Sequence, residues 1–187
     1  MTQEGFIELT RDCDAIQVPY GITVKLARGT PVRITQQMGG FTAVTDYGNM
    51  VRIDETDADA LGLTAAPAGE VNTGTDVPLI NMTADEVRDQ VWDRLRTVFD
   101  PEIPVNVVDL GLVYKNDVIP LPQGGFDVFI EMTLTAPGCG MGPVLQADAL
   151  YKVKHVPGVK QVKVDIVFDP PWTRERMSEA ARLELGL

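Results

Sequence analysis

At 187 residues, 44% of them hydrophobic and 23% charged, the chain has the composition of a folded globular protein of one or two domains. Its net charge of −11 is spread evenly: five basic against eleven acidic residues before position 82 and eleven against sixteen after it leave −6 and −5, which excludes a basic nucleic-acid footprint. No apolar run approaches the roughly 18 residues of a membrane span, and two cysteines do not make a disulfide framework, so a reducing, cytoplasmic setting is expected.

Met1 to Thr10 lacks a basic-then-apolar leader pattern. Residues 16–53 read as four short strands. Ile22–Leu26 and Val32–Gln36 alternate, Phe41–Thr45 and Met50–Ile53 follow, and Arg28-Gly29, Gly39-Gly40 and Asp46-Tyr47-Gly48-Asn49 supply the turns. Strands so short and evenly spaced predict a small antiparallel barrel-like domain or curled sheet over residues 1–63. Residues 64–81, rich in Ala, Pro, Gly and Thr without periodicity, read as a linker.

Residues 82–187 predict a second, α/β domain. Thr83-Ala84-Asp85-Glu86 is a capping box, and Val87, Val91, Leu95 and Val98 share one helical face that should run until Pro101 stops it. Val107–Tyr114 reads as a strand and Phe126–Leu134 as its hairpin partner, with Pro120–Gly125 as the tip. A helix carrying Met141, Leu145, Ala149 and Val153 ends at Pro157-Gly158, Val162–Phe168 is a third strand, and Thr173–Leu185 is a last helix. The order α-β-β-α-β-α predicts helices packed on a three-stranded mixed sheet.

The most chemically suggestive segment is Thr135-Ala136-Pro137-Gly138-Cys139-Gly140-Met141, where a strand gives way to a helix. Backbone N–H groups and the helix dipole favour negative charge there, which suits a thiolate that holds iron or a cluster, or carries sulfur. Gly138 and Gly140 remove side-chain cover. A free cysteine is more often a small buried hydrophobe, and the two readings stand level at Cys139. A cluster wants about four thiolate-type ligands, which one cysteine does not supply. Any labile cluster or iron bound here would be shared between protomers or with a partner. Cys13, between Asp12 and Asp14, reads as structural, its thiol pushed up by the two carboxylates, though it would be a second ligand if the front domain folded over Cys139. His155, the only histidine, is sixteen residues from Cys139; at about 1.5 Å per residue a continuous helix holds them roughly 24 Å apart, too far for a nucleophile–base pair. Asp100, Glu102 and Asp109 are candidate hard ligands or proton acceptors, with Asp109 interrupting an apolar strand, and each is equally a turn or solvated residue. The Thr135 hydroxyl is placed to bond the turn or a ligand. Metal-spaced Cys/His pairs, a P-loop and a dinucleotide fingerprint are missing from the sequence.

Four separated motifs occur in order: Asp100-Pro101-Glu102-Ile103-Pro104; Val107-Val108-Asp109-Leu110-Gly111-Leu112-Val113-Tyr114; Met132-Thr133-Leu134-Thr135-Ala136-Pro137-Gly138-Cys139; and Phe168-Asp169-Pro170-Pro171-Trp172-Thr173 with Met177-Ser178. Over residues 83 to 187 they resemble the MIP18 family, formerly a domain of unknown function. The front half, with Ile16-Gln17-Val18-Pro19-Tyr20-Gly21 and Ile34-Thr35-Gln36-Gln37-Met38-Gly39-Gly40, is similar to the N-terminal extension of the family's long members. The resemblance implies a non-enzymatic auxiliary factor in iron–sulfur cluster assembly or delivery, with the SUF machinery and apo client enzymes as partners. It places the family's cysteine on Cys139, its acidic pair on Asp100 and Glu102, and its threonine on Thr135. Some relatives have a second threonine where this chain has Ala136. Two other readings stand beside it: an accessory subunit of a multicomponent oxygenase of the phenylacetate-degradation type, and a pure interaction module in which Cys139 is incidental; a homo-oligomer is a further candidate partner.

Overall fold

A computed structural model describes residues 5–63, 82–100 and 102–187, and the chain divides into two compact units, Met1–Gly74 and Thr75–Leu187. The expected linker, 64–81, lies outside the described residues.

The first unit is one antiparallel sheet of six strands: β1 (Ile7–Glu8), β2 (Cys13–Gln17), β3 (Ile22–Leu26), β4 (Pro31–Gln37), β5 (Phe41–Thr45) and β6 (Met50–Ile53), in the order β1-β4-β5-β6-β2-β3. Four of these match the expected strands. The two that do not, β1 and β2, are a two-residue bridge and a strand opened by Asp12-Cys13-Asp14, whose charges resemble a turn. A register shift between Ile34 and Gln36 bends β4, as an extra residue in one strand does. Among the described residues β3 and β1 do not pair, so the sheet is curled and open, and the barrel does not close.

Leu9, Cys13, Ala15, Val32, Phe41, Ala43, Val51 and Ile53 fill the inner face together with Ala58, Ala60 and Leu61 of a 3-10 segment, Glu55–Leu61. Arg11 ties that segment down: its Nε donates to Asp59 Oδ2 at 2.7 Å and its Nη2 lies 2.8 Å from Asp57 Oδ1.

The second unit follows the expected order with three corrections. Helix α1 (Ala84–Leu95) starts on the expected capping box: Thr83 N donates to Glu86 Oε2 (2.8 Å) and Glu86 N to Thr83 Oγ1 (3.2 Å). It ends at Leu95, well before Pro101, where the chain tightens into a turn and the Thr97 hydroxyl donates to the Arg94 carbonyl. The expected strand Val107–Tyr114 is strand only at its last two residues; residues 106–111 form a turn and β7 runs Val113–Pro120. The C-terminal helix is broken: a 3-10 turn at Arg174–Arg176, extended backbone at Met177, then α3 (Glu179–Glu184) capped by the Ser178 hydroxyl.

Strand β7 pairs antiparallel with β8 (Phe126–Met132), and β8 pairs parallel with β9 (Val159–Ile166) through helix α2 (Gly142–Lys154), making the mixed sheet β7-β8-β9. Helix α1 lies on β7 and α2 on β9, side by side. Val87, Val91, Leu95 and Val98 meet Val128, Ile130, Met132, Leu145, Ala149 and Val153 in one core, all at most 2% exposed. No described helix is long and apolar enough to cross a membrane.

Candidate functional site

The sheet ends where the chemistry begins. Beyond Met132 the chain keeps one more ladder bond, from Thr133 N to the Leu112 carbonyl at 2.8 Å, and then leaves the sheet. Leu134 turns inward against the start of α2, so close that a Cβ on Gly142 would lie 2.7 Å from its Cδ1. Thr135 is half-buried, while Ala136, Pro137 and Gly138 are exposed. Gly138 takes φ +82°, a backbone that side chains disfavour, and the turn closes with Cys139 N donating to the Ala136 carbonyl at 3.3 Å.

Cys139 is half-buried, its side chain resting on the rim of the core between exposed neighbours. Its carbonyl accepts from Gly142 N at 3.1 Å, which leads the chain into α2. The helix has Met141 as N-cap, without a side-chain capping bond, and Pro143 in its first turn. The thiol therefore sits just outside the first turn. Among the described residues the amides of Gly138, Gly140 and Met141 donate to no protein acceptor, so three unspent N–H donors lie in the loop that carries Cys139.

Two of the carboxylates take the turn and solvated placements weighed for them, and Asp109 is placed differently from expectation. Asp100 is 5% exposed, and its Oδ1 accepts from Glu102 N (2.8 Å) and Ile103 N (3.0 Å), so it holds its own turn. Glu102 is exposed. Asp109 does not interrupt a strand; it lies in a turn organised by Asn106, whose Oδ1 accepts from Val108 N and Asp109 N and whose Nδ2 donates to Asp109 Oδ2 at 2.6 Å. Among the described residues no three His, Cys, Asp or Glu side chains converge as metal ligands, so Asp100, Glu102, Asp109 and Cys139 do not form a ready-made cation site.

His155 caps the far end of α2, its Nδ1–H bonding the Tyr151 carbonyl at 2.7 Å. Cys13 is 4% exposed and its thiol is pushed up to about 11, first by burial and then by the nearby Asp57; Asp14 contributes less than either. Four residues near the site were given no individual role by the sequence reading. They are Asn106, the indole of Trp172, the backbone of Ser178, and Thr133, whose hydroxyl is buried without a partner among the described residues. Asn106 has a readable signal in the Asn-x-x-Asp-x-Gly spacing of a turn. Thr133 has none, since it continues the polar alternation of β8.

The sequence model of a family described as iron–sulfur cluster assembly protein matches residues 88–166, which include Asp100, Glu102, Asp109, Thr135 and Cys139. The chain is similar to the Fe-S protein maturation auxiliary factor of Porphyromonas gingivalis (strain ATCC BAA-308 / W83), 50% identical over 101 residues that make up 54% of this chain and 92% of that protein. It is similar to the Fe-S protein maturation auxiliary factor SufT of Staphylococcus aureus (strain USA300), 40% identical over 90 residues, 48% of this chain and 98% of that one. Among solved structures it resembles the crystal structure of a domain of unknown function, DUF59, from Bacillus anthracis, with 35% identity and a TM-score of 0.49 over 56% of this chain and 95% of that one.

Proposed function

The chain belongs to the iron–sulfur cluster assembly protein family, and from that membership we propose that it is an auxiliary maturation factor that passes clusters, or their iron and sulfur, to apo-proteins through Cys139. The observation that carries the reading is the placement of this thiol: half-exposed, flanked by exposed small residues, beside three amides with no protein acceptor. Those amides are free to donate to the sulfide edge of a cluster. A cluster needs about four thiolate-type ligands, and the other cysteine is buried with its thiol held neutral. The cluster is then cargo, held jointly with a second protomer, a protein of the SUF machinery, the recipient or a small thiol. Such shared ligation is labile by construction, which suits delivery.

The role is a non-enzymatic one in a reducing cytoplasm. His155, at the far end of α2, is not available as a base for Cys139. Relatives named as maturation factors favour this role over that of an oxygenase subunit. The test is anaerobic reconstitution with iron and sulfide, followed by transfer to an apo recipient. The expected result is cluster absorbance and recipient activation with the native chain and their loss in Cys139→Ser. Full activation by Cys139→Ser overturns the reading.

A further inference from the structure

The motif Asp169-Pro170-Pro171-Trp172, with Met177 and Ser178 beyond it, has no part in the chemistry described so far and lies outside the residues 88–166 that match the family. The structure gives it a place. The Trp172 indole Nε1 donates to the Leu110 carbonyl at 2.8 Å, and Ser178 N donates to the Asp109 carbonyl at 2.8 Å. The Tyr114 hydroxyl donates to the Pro170 carbonyl at 3.0 Å, and the Arg176 guanidinium lies 4.1 Å from the centre of the Tyr114 ring. Gly111 shows how tightly the two segments meet. It has φ +68°, and a Cβ there would lie 2.2 Å from the Arg176 carbonyl oxygen. All of these contacts fall on the stretch from Asp109 to Tyr114.

That stretch holds the stem of the Cys139 loop. Leu112 N donates to the Val107 carbonyl at 2.9 Å, and the Leu112 carbonyl accepts from Thr133 N, the last sheet-type bond before the chain turns toward Cys139. We propose that the C-terminal strap, residues 169–178, is the positioning element of the thiol site, with Trp172 and Tyr114 as positioning residues. The strap clamps the Asn106–Leu112 turn, which fixes the Asp109 carboxylate and, through Leu112 and Thr133, the base of the loop that presents Cys139. At its other end the turn is tied to the segment after α1, where Val107 N donates to the Val98 carbonyl at 2.8 Å and Phe99 bridges Asn106, so the strap is what holds the Asp109–Leu112 end.

The proposal takes Cys139 as the working thiol from the reading above, but its test requires no cluster, so either can fail alone. The rate of Cys139 alkylation by iodoacetamide, resolved by mass, is compared in the full-length chain and in Tyr114→Phe and Trp172→Phe. Val128→Ala, a substitution under the helices near the opposite end of β8, serves as a destabilised core control. Losing one neutral hydrogen bond shifts a local opening by about two- to tenfold. Both strap variants should therefore alkylate Cys139 faster by about that factor and exchange the Thr133 amide faster, with the Cys13 rate unmoved. Val128→Ala should leave Cys139 at the native rate below its melting transition. Should Trp172→Phe not fold, Tyr114→Phe, which deletes a single oxygen, carries the test. Native-like Cys139 rates in the strap variants, or equal acceleration in Val128→Ala, overturn the proposal.

Discussion

At the level of single residues, the two cysteines answer opposite demands. Cys139 stands on the rim of a core with exposed neighbours, while Cys13 is 4% exposed with its thiol raised to about 11. In the native protein iodoacetamide should modify Cys139 well before Cys13, a difference read directly from tryptic peptides. The raised Cys13 thiol also links folding to pH. The folded state holds the proton more tightly than the unfolded one, so this contribution is complete below the usual thiol value of 9.0 and is lost as pH rises toward 11. Stability of the first unit should fall over that window, and Cys13→Ala should flatten the fall; a native-like slope in the variant would refute the linkage. Cys139 and the Thr83 cap could be placed from sequence because their signals are local. Asp109 could not, because Val108, Leu110, Leu112 and Tyr114 alternate as a strand does, whereas Asn106 and Gly111 in fact fold the segment into a turn.

Among the elements, the ends proved harder to read than the bodies. α1 opens where its capping box dictates, and Thr83→Ala should lower stability by about 1 kcal/mol in urea unfolding. The companion Glu86 carboxylate is held below its ordinary range by the Thr83 N–H, so the capping contribution is present at neutral pH and fades as acid protonates it. A Thr83→Ala variant as stable as the native chain would mean that tertiary packing alone holds the helix start. β8 and β9 were legible through their alternation, whereas β7 was expected about six residues too early. The C-terminal helix was not, since Met177 and Ala181 keep helical spacing across a break made by extended backbone at Met177; only Ser178 followed by Glu179 hints at a fresh N-cap. β1 and β2 were missed because pairing in the curled sheet, and not their own residues, makes them strands.

On the scale of the whole molecule, two compact units share an even acidity of −11. Duplex DNA should show no mobility shift at low salt and micromolar protein; a shift would require a local basic surface that the charge distribution denies. The class of fold was available from the succession of elements, whereas the meeting of the four motifs was not, because it depends on the C-terminal strap crossing back over the turn after α1. One vacancy beside the thiol remains instructive. A methyl group set on Gly140 would touch nothing within 4 Å, and its backbone needs no left-handed angle. Enlarging that position stepwise to Ala, Val and Leu should spare the host and obstruct only a visitor. Such a series becomes a feeler gauge for how near a docking recipient brings its own atoms to the sulfur.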